Sequence, residues 1–138
     1  MKTYTRKINY YETDQMGVVH HSNYIRYFEE ARTSYMEQVG FPYARLEEQG
    51  IISPVIGVSC RYKKPIHDGD TVEIRVRLIG MRRTKCTFRY EIVDAASGEL
   101  RAFGESEHCY LDRKGTILSI EKSCPEFYHL YLEQVEAV

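Results

Sequence analysis

A single stretch of helical period stands ahead of a long run of alternating segments, and that order narrows the folds open to the chain. From Tyr24 to Val39 the residues Tyr24, Ile25, Phe28, Ala31, Tyr35, Met36 and Val39 recur at three- and four-residue intervals, with Ser22 or Asn23 as the cap and Gly40 as the stop. This spacing predicts a helix of about four turns. From Ile51 to about Leu111 the period becomes two: Val72, Ile74, Val76 and Leu78 alternate with Thr71, Glu73, Arg75 and Arg77, and Cys86, Phe88, Tyr90 and Ile92 with Thr87, Arg89 and Glu91. Each reads as a strand with one buried face. The breaks at His67-Asp68-Gly69-Asp70, Met81-Arg82-Arg83-Thr84 and Ala95-Ala96-Ser97-Gly98 are short enough to join antiparallel neighbours. Gly104, inside the last long strand, marks a bulge or the close approach of another backbone. A sheet with one face covered by the helix is an α+β layer rather than a parallel dinucleotide fold. No Gly-x-Gly-x-x-Gly or Gly-Lys-Ser/Thr loop contradicts this.

The flanks fit the same layer. Tyr4 to Tyr11 reads as a half-buried first strand with Tyr4, Ile8 and Tyr10 on one face and Arg6 as the exception. The segment Glu12 to Gly17 lacks either period and forms a loop into the helix, where Gly17 supplies an unusual backbone angle. Phe41-Pro42 introduces a short helix over Tyr43 to Gln49 that Gly50 stops, and Ser123-Cys124-Pro125 opens a final amphipathic segment, Phe127 to Val135. With no linker or repeat in 138 residues, one domain spanning 1–138 is expected.

Composition removes several classes of partner. The chain is 43% hydrophobic and 28% charged, and 19 Lys and Arg against 20 Asp and Glu leave a formal charge of −1. This is a globular balance, and it argues against nucleic acid, whose binding needs a clustered excess of Lys and Arg. No apolar stretch approaches the ~20 residues of a membrane span, and the N-terminal residues alternate polar groups where a signal peptide needs an apolar run. A soluble, cytoplasmic protein without membrane insertion is expected. Cys60, Cys86, Cys109 and Cys124 are irregularly spaced and read as buried or half-buried thiols rather than disulfides or metal ligands.

Reactive side chains concentrate at Glu12, Asp14, His20 and His21, in the loop that feeds the long helix. A helix N-terminus presents unpaired N–H groups and a positive dipole end, so a carbonyl oxygen gaining charge is stabilised there. A carboxylate just upstream can act as general base on water or as nucleophile in acyl transfer. On spacing alone an Asp before a helix also serves as a turn or capping residue. Asp14, His20 and His21 match no established metal-ligand pattern, and no metal or organic cofactor is expected.

The run Tyr11-Glu12-Thr13-Asp14-Gln15-Met16-Gly17-Val18-Val19-His20-His21-Ser22-Asn23-Tyr24, continued by Tyr27-Phe28-Glu29-Glu30-Ala31-Arg32, resembles the active-site signature of the 4-hydroxybenzoyl-CoA thioesterase family, most closely its YbgC-type acyl-CoA thioesterases. An Arg-Tyr-Lys-Lys-Pro segment before a Gly-Asp turn extends the resemblance over nearly the whole chain. It implies a hotdog fold, in which a curved antiparallel sheet wraps one long helix. It also implies homodimers or homotetramers with active sites between subunits joined sheet edge to sheet edge. The family's catalytic carboxylate lands on Asp14. Its position at the helix start lands on His21, whose N–H polarises the thioester carbonyl. Gly17, Val18, His20 and Tyr24 then belong to the substrate-binding wall, with His20 standing where relatives commonly carry an aromatic residue.

The implied reaction is hydrolysis of an acyl-CoA thioester to the free acid and coenzyme A, with acyl carrier protein as a further possible donor of the acyl group. Arg82, Arg83 and Lys85, at a predicted hairpin where relatives place basic residues, are candidates for the coenzyme A phosphates, and Arg61, Lys63 and Lys64 form a second cluster. Either cluster also reads as a solvated strand end. Tyr24, Tyr27 and Tyr35 fall at helical spacing and read as core and interface, and at least one of Glu29 and Glu30 reads as a solvated helix face. The alternative from another class is a hotdog module that binds acyl-CoA or carrier-linked acyl groups without turnover. The intact Thr13-Asp14 pair counts against it. A hydratase or dehydratase on the same fold lacks support, because the residues match the thioesterase signature instead, and the acyl group is open.

Overall fold

The alternating segments form one five-stranded antiparallel sheet, and the helical repeat lies against it. The computed structural model describes residues 1–137. In chain order the elements are β1 (Tyr4–Lys7), α1 (Ser22–Val39), α2 (Tyr43–Glu48), β2 (Val55–Tyr62), β3 (Thr71–Met81), β4 (Lys85–Asp94), β5 (Leu100–Cys109), α3 (Ile120–Ser123) and α4 (Pro125–Leu132). The strand order is β1-β3-β4-β5-β2. The last two predicted breaks close hairpins, with Met81 opposite Cys86 and Val93 opposite Leu100. The break at His67–Asp70 does not: β2 crosses to the far edge and pairs with β5, Val55 opposite His108 and Tyr62 opposite Ala102.

Helix α1 presents Tyr24, Tyr27, Phe28, Ala31 and Tyr35 to the core. Ile25, expected on that face, is exposed, whereas Tyr27 is fully buried, as expected of a tyrosine at this spacing. The Phe28 ring stacks on Tyr90 of β4 with centroids 4.4 Å apart, and Tyr35 meets Phe88 edge to face. The helix also begins two residues earlier than its periodicity indicated. Ser22 and Asn23 lie inside it, and His21 occupies the cap position without a side-chain cap. Gly40 terminates it in the left-handed conformation, φ 97°.

Three other departures have local causes. Strand β1 stops at Lys7, because the chain turns through a 3₁₀ segment, Tyr10–Glu12, as Glu12 reaches back to the Asn9 N–H. Tyr10 is therefore 79% exposed rather than on the buried face. Helix α3 escaped the sequence reading because its single turn carries no period, only the Ser119 hydroxyl accepting the Lys122 N–H. Helix α4 ends at Leu132, so Val135 lies beyond it.

Gly104 is a close approach. It pairs with Cys60 on β2 and Tyr90 on β4, and a Cβ there would collide with the Ser59 carbonyl and lie 2.9 Å from Phe28 Cε2. The register shifts fall elsewhere, at Gly57, Gly80 and Val93. Gly104→Ala is expected to destabilise the fold by about 1–3 kcal/mol, seen as a thermal midpoint lower by several degrees. An unchanged midpoint would show that the sheet opens there without cost.

The two sheet edges differ. Strand β1 is a four-residue edge carrying Arg6 and Lys7, whereas β2 is eight residues long and exposes Val55, Ile56, Val58 and Tyr62. Among the described residues no helix is long and apolar enough to cross a membrane.

Candidate active site

Asp14 opens a tight turn at the tip of a small hairpin. Thr13 bridges to Val19, the Asp14 N–H donates to the Val18 carbonyl at 2.9 Å, and the Gly17 N–H donates back to the Asp14 carbonyl at 3.0 Å. Gly17 has φ +77°, the left-handed angle its sequence position called for. The Asp14 Oδ1 accepts the Met16 N–H at 2.8 Å, which fixes the carboxylate and leaves its second oxygen free of that turn. Across the cleft run Tyr62, Lys63, Lys64 and Pro65 from the end of β2. The two walls are tied by backbone bonds, with the Val19 N–H donating to the Ile66 carbonyl at 2.7 Å and Val18 bridging to His67.

The cleft's inner end is the start of α1. Asp14, Val18, His21 and Tyr24 line it together. Among the described residues the His21 N–H has no backbone acceptor, while the His20 N–H is taken by the Glu12 carbonyl. A free N–H at a helix N-terminus, beside a fixed carboxylate, is an arrangement able to hold a carbonyl oxygen while a base or nucleophile works on its carbon. Tyr24 is buried against Tyr62, ring centroids 4.8 Å apart, and burial pushes its hydroxyl up to about 12, so it stays protonated. The His20 ring turns away: it is exposed, stacks on His21 and bonds the Ser22 hydroxyl at 2.9 Å. Among the described residues no three His, Cys, Asp or Glu side chains gather as a metal-binding group.

Beneath the hairpin lies the group that sets its position. Glu12, only 6% exposed, accepts Arg6 Nη1 at 2.6 Å, the Tyr27 hydroxyl at 3.0 Å and the Asn9 N–H at 2.9 Å. Its carbonyl also receives Asn23 Nδ2 from α1. Arg6, the polar exception on the first strand, continues to Glu30 at 2.7 Å, so Glu30 is tied down while Glu29 is exposed. Burial works to raise the Glu12 carboxyl, but Arg6, Asn9 and Tyr27 outweigh it and hold the carboxyl below its ordinary range. Its contribution to stability is therefore complete above the ordinary carboxylate range and is lost as pH falls through the depressed folded value. Glu12→Gln is expected to cost about 3 kcal/mol at pH 7 and to flatten the loss of stability on acidification. Urea titrations of both proteins across the acid range check this, and coincident curves at pH 7 would refute it.

The two basic clusters separate. Lys63 and Lys64 stand on the cleft wall. Arg82, Arg83 and Lys85 occupy the β3–β4 turn, closed by the Arg82 N–H on the Lys85 carbonyl, at the opposite end of the sheet from Asp14. Over the length of β2 these two ends lie about 23 Å apart. Sequence reading named neither Tyr62 nor the anchoring by Arg6 and Tyr27. The one available signal was Arg6 standing on an apolar face.

A curved antiparallel sheet on one long helix, with a loop carboxylate at that helix's N-terminus, is the hotdog architecture. The chain belongs to the thioesterase-like superfamily, whose family model matches residues 8–128. Among its relatives, YneP of Bacillus subtilis, provisionally named an acyl-CoA thioesterase, is 33% identical over 126 residues, covering 91% of each chain. The acyl-CoA thioester hydrolase YbgC of Escherichia coli is 30% identical over 89 residues, 64% of this chain and 66% of that one. Among solved structures, the DHNA-CoA thioesterase from Staphylococcus aureus superposes with a TM-score of 0.90 at 32% identity, covering 95% of this chain and 88% of that one.

Proposed function

We propose that the chain hydrolyses acyl-CoA thioesters to a carboxylic acid and coenzyme A, with Asp14 as general base or nucleophile. The observation that carries this reading is the shared cleft of the fixed Asp14 carboxylate and the free His21 N–H. The thioester carbonyl oxygen accepts that N–H, and the dipole of α1 stabilises the charge it gains. Asp14 takes the proton of a water that attacks the carbonyl carbon, or its own oxygen forms an anhydride that water then opens. Either way the carbon–sulfur bond breaks, and the thiolate leaves as coenzyme A after taking up a proton. The His21 side chain positions the reacting groups, while Gly17, Val18 and Tyr24 shape the wall and His20 supports it by stacking. The names of YneP and YbgC support acyl-CoA as the substrate class, and cytoplasmic action fits such substrates.

The working unit in this reading is a dimer joined through β2, the long apolar edge, rather than through the short charged β1. Antiparallel pairing about a two-fold axis sets Val55 opposite the partner's Tyr62. The ends of the sheet thereby exchange, and the partner's Arg82, Arg83 and Lys85 come to the Asp14 end, where Lys63 and Lys64 already stand. Together these cations hold the phosphates of coenzyme A. Thiol release from a panel of short, medium, long and aromatic acyl-CoAs tests the reading. Release from any member supports it, and binding without release across the panel would replace it with a non-catalytic binder or an acyl-carrier-protein substrate.

A further inference from the structure

A second cavity, of about 350 Å³, lies between α1, α2 and the first residues of β2. Its walls are largely apolar, with Met36, Leu46, Phe88, Tyr110 and Phe127 among them. Among the polar side chains that line it, with Glu29, Thr33, Tyr43 and Ser53, are Arg32 and His108, and a buried relay joins these two. Arg32 Nη1 donates to the Tyr90 hydroxyl at 3.1 Å, that hydroxyl bonds Ser106 Oγ, and Ser106 Oγ lies 2.8 Å from His108 Nε2. His108 is 3% exposed, and burial together with the Arg32 charge pulls its imidazole down to about 4, so the ring is neutral at pH 7.

Arg32 donates to Tyr90, and the arrangement that gives every relay proton an acceptor has Tyr90 donating to Ser106 and Ser106 to His108 Nε2, with the imidazole proton on Nδ1. Among the described residues Arg32 has no carboxylate within 4.0 Å, and Glu29, exposed, is the one acid on the cavity lining. The cavity thus combines apolar walls with an Arg32 guanidinium that has no carboxylate partner and with the His108 imidazole, polar groups of the kind that fix the orientation of a bound ligand.

We infer that this cavity is the acyl chamber and that the Arg32–Tyr90–Ser106–His108 relay selects acyl groups with an apolar body and a hydrogen-bond-accepting oxygen at the far end. The inference rests on the thioesterase reading and on the β2 pairing. Pro54 and Val55 line the chamber, and Val55 opposes the partner's Tyr62, whose counterpart in this chain lines the Asp14 cleft. An acyl group whose thioester sits at the partner's Asp14 therefore enters the chamber of this subunit. None of the four relay residues touches the thioester itself. They determine specificity rather than perform the reaction.

The test compares kcat/KM for hexanoyl-, ω-hydroxyhexanoyl- and adipoyl-CoA in the wild-type protein and in Arg32→Met, Ser106→Ala and His108→Phe. The wild type is expected to favour the two oxygenated esters by about tenfold or more over hexanoyl-CoA, as one or two buried hydrogen bonds allow. The variants are expected to bring that ratio to about one while keeping turnover of hexanoyl-CoA. Loss of folded protein lowers all three rates together and leaves the ratio intact, so a ratio unchanged in both Arg32→Met and Ser106→Ala overturns the assignment. A wild type that prefers hexanoyl-CoA overturns it as well. Thiol release from hexanoyl-CoA reports on the hydrolase reading separately. Were none of the three esters turned over, the hydrolase reading would rest on the wider acyl-CoA panel, and calorimetric affinities for the same three esters in the same variants would still decide the relay.

Discussion

Asp14→Asn is expected to release thiol from acyl-CoA at one-hundredth of the wild-type rate or less, as loss of a general base or nucleophile requires. The substitution is conservative in the right place. An amide oxygen at Oδ1 still accepts the Met16 N–H, so the turn that carries the residue stays closed, and Gly17 keeps its left-handed angle. What disappears is the ability to take a proton or to attack carbon. The loss should fall on kcat with KM little changed, and the near-ultraviolet circular dichroism and thermal midpoint should match the parent. A variant that retains more than about a tenth of the rate would remove Asp14 from the reaction, since positioning alone does not account for so small a loss.

If the proposed pairing through β2 holds, Val58→Lys is expected to give a monomer and to abolish most turnover although Asp14 is untouched. Val58 sits beside the middle of β2 and is exposed. About a two-fold axis the new ammonium groups of both subunits would meet at close range, and charge on an edge strand is the device by which natural sheets prevent pairing. In the proposed arrangement, separation of the subunits strands each Asp14 cleft from the inferred chamber opposite and from the partner's Arg82–Lys85 turn. Sedimentation should give the monomer mass, with thiol release reduced at least tenfold. A monomer that is fully active would show that one chain suffices, and an unperturbed dimer would move the interface off β2.

The periodic parts of the fold could be read directly. The two-residue alternation of β3 and β4 and the three-and-four spacing of α1 each point one face inward, and burial alone then settles which residues are core. Pairing across the sheet was less accessible, because the neighbour of β2 is the strand that remains after β3, β4 and β5 have closed their hairpins. Asp14 and Gly17 were legible as a turn before a helix, and the resemblance supplied the role. Glu12 was legible only as one more acid in a loop: its meaning depends on Arg6 and Tyr27, two side chains brought to it by a strand and a helix. The placement of Arg82, Arg83 and Lys85 followed from counting. Strand β3 starts beside His67, on the cleft side, and its eleven residues carry the chain to the other end.

The backbone bonds from Val19 to Ile66 and from Val18 to His67 make the two lips of the Asp14 cleft a single rigid frame. A slot of this kind has a gap set by the main chain, so side-chain changes at Met16, Lys63 or Lys64 would alter its chemistry and charge but not its width. Diversification of the enzyme toward other substrates would then leave the proposed thioester site untouched, and concentrate where side chains alone determine the space.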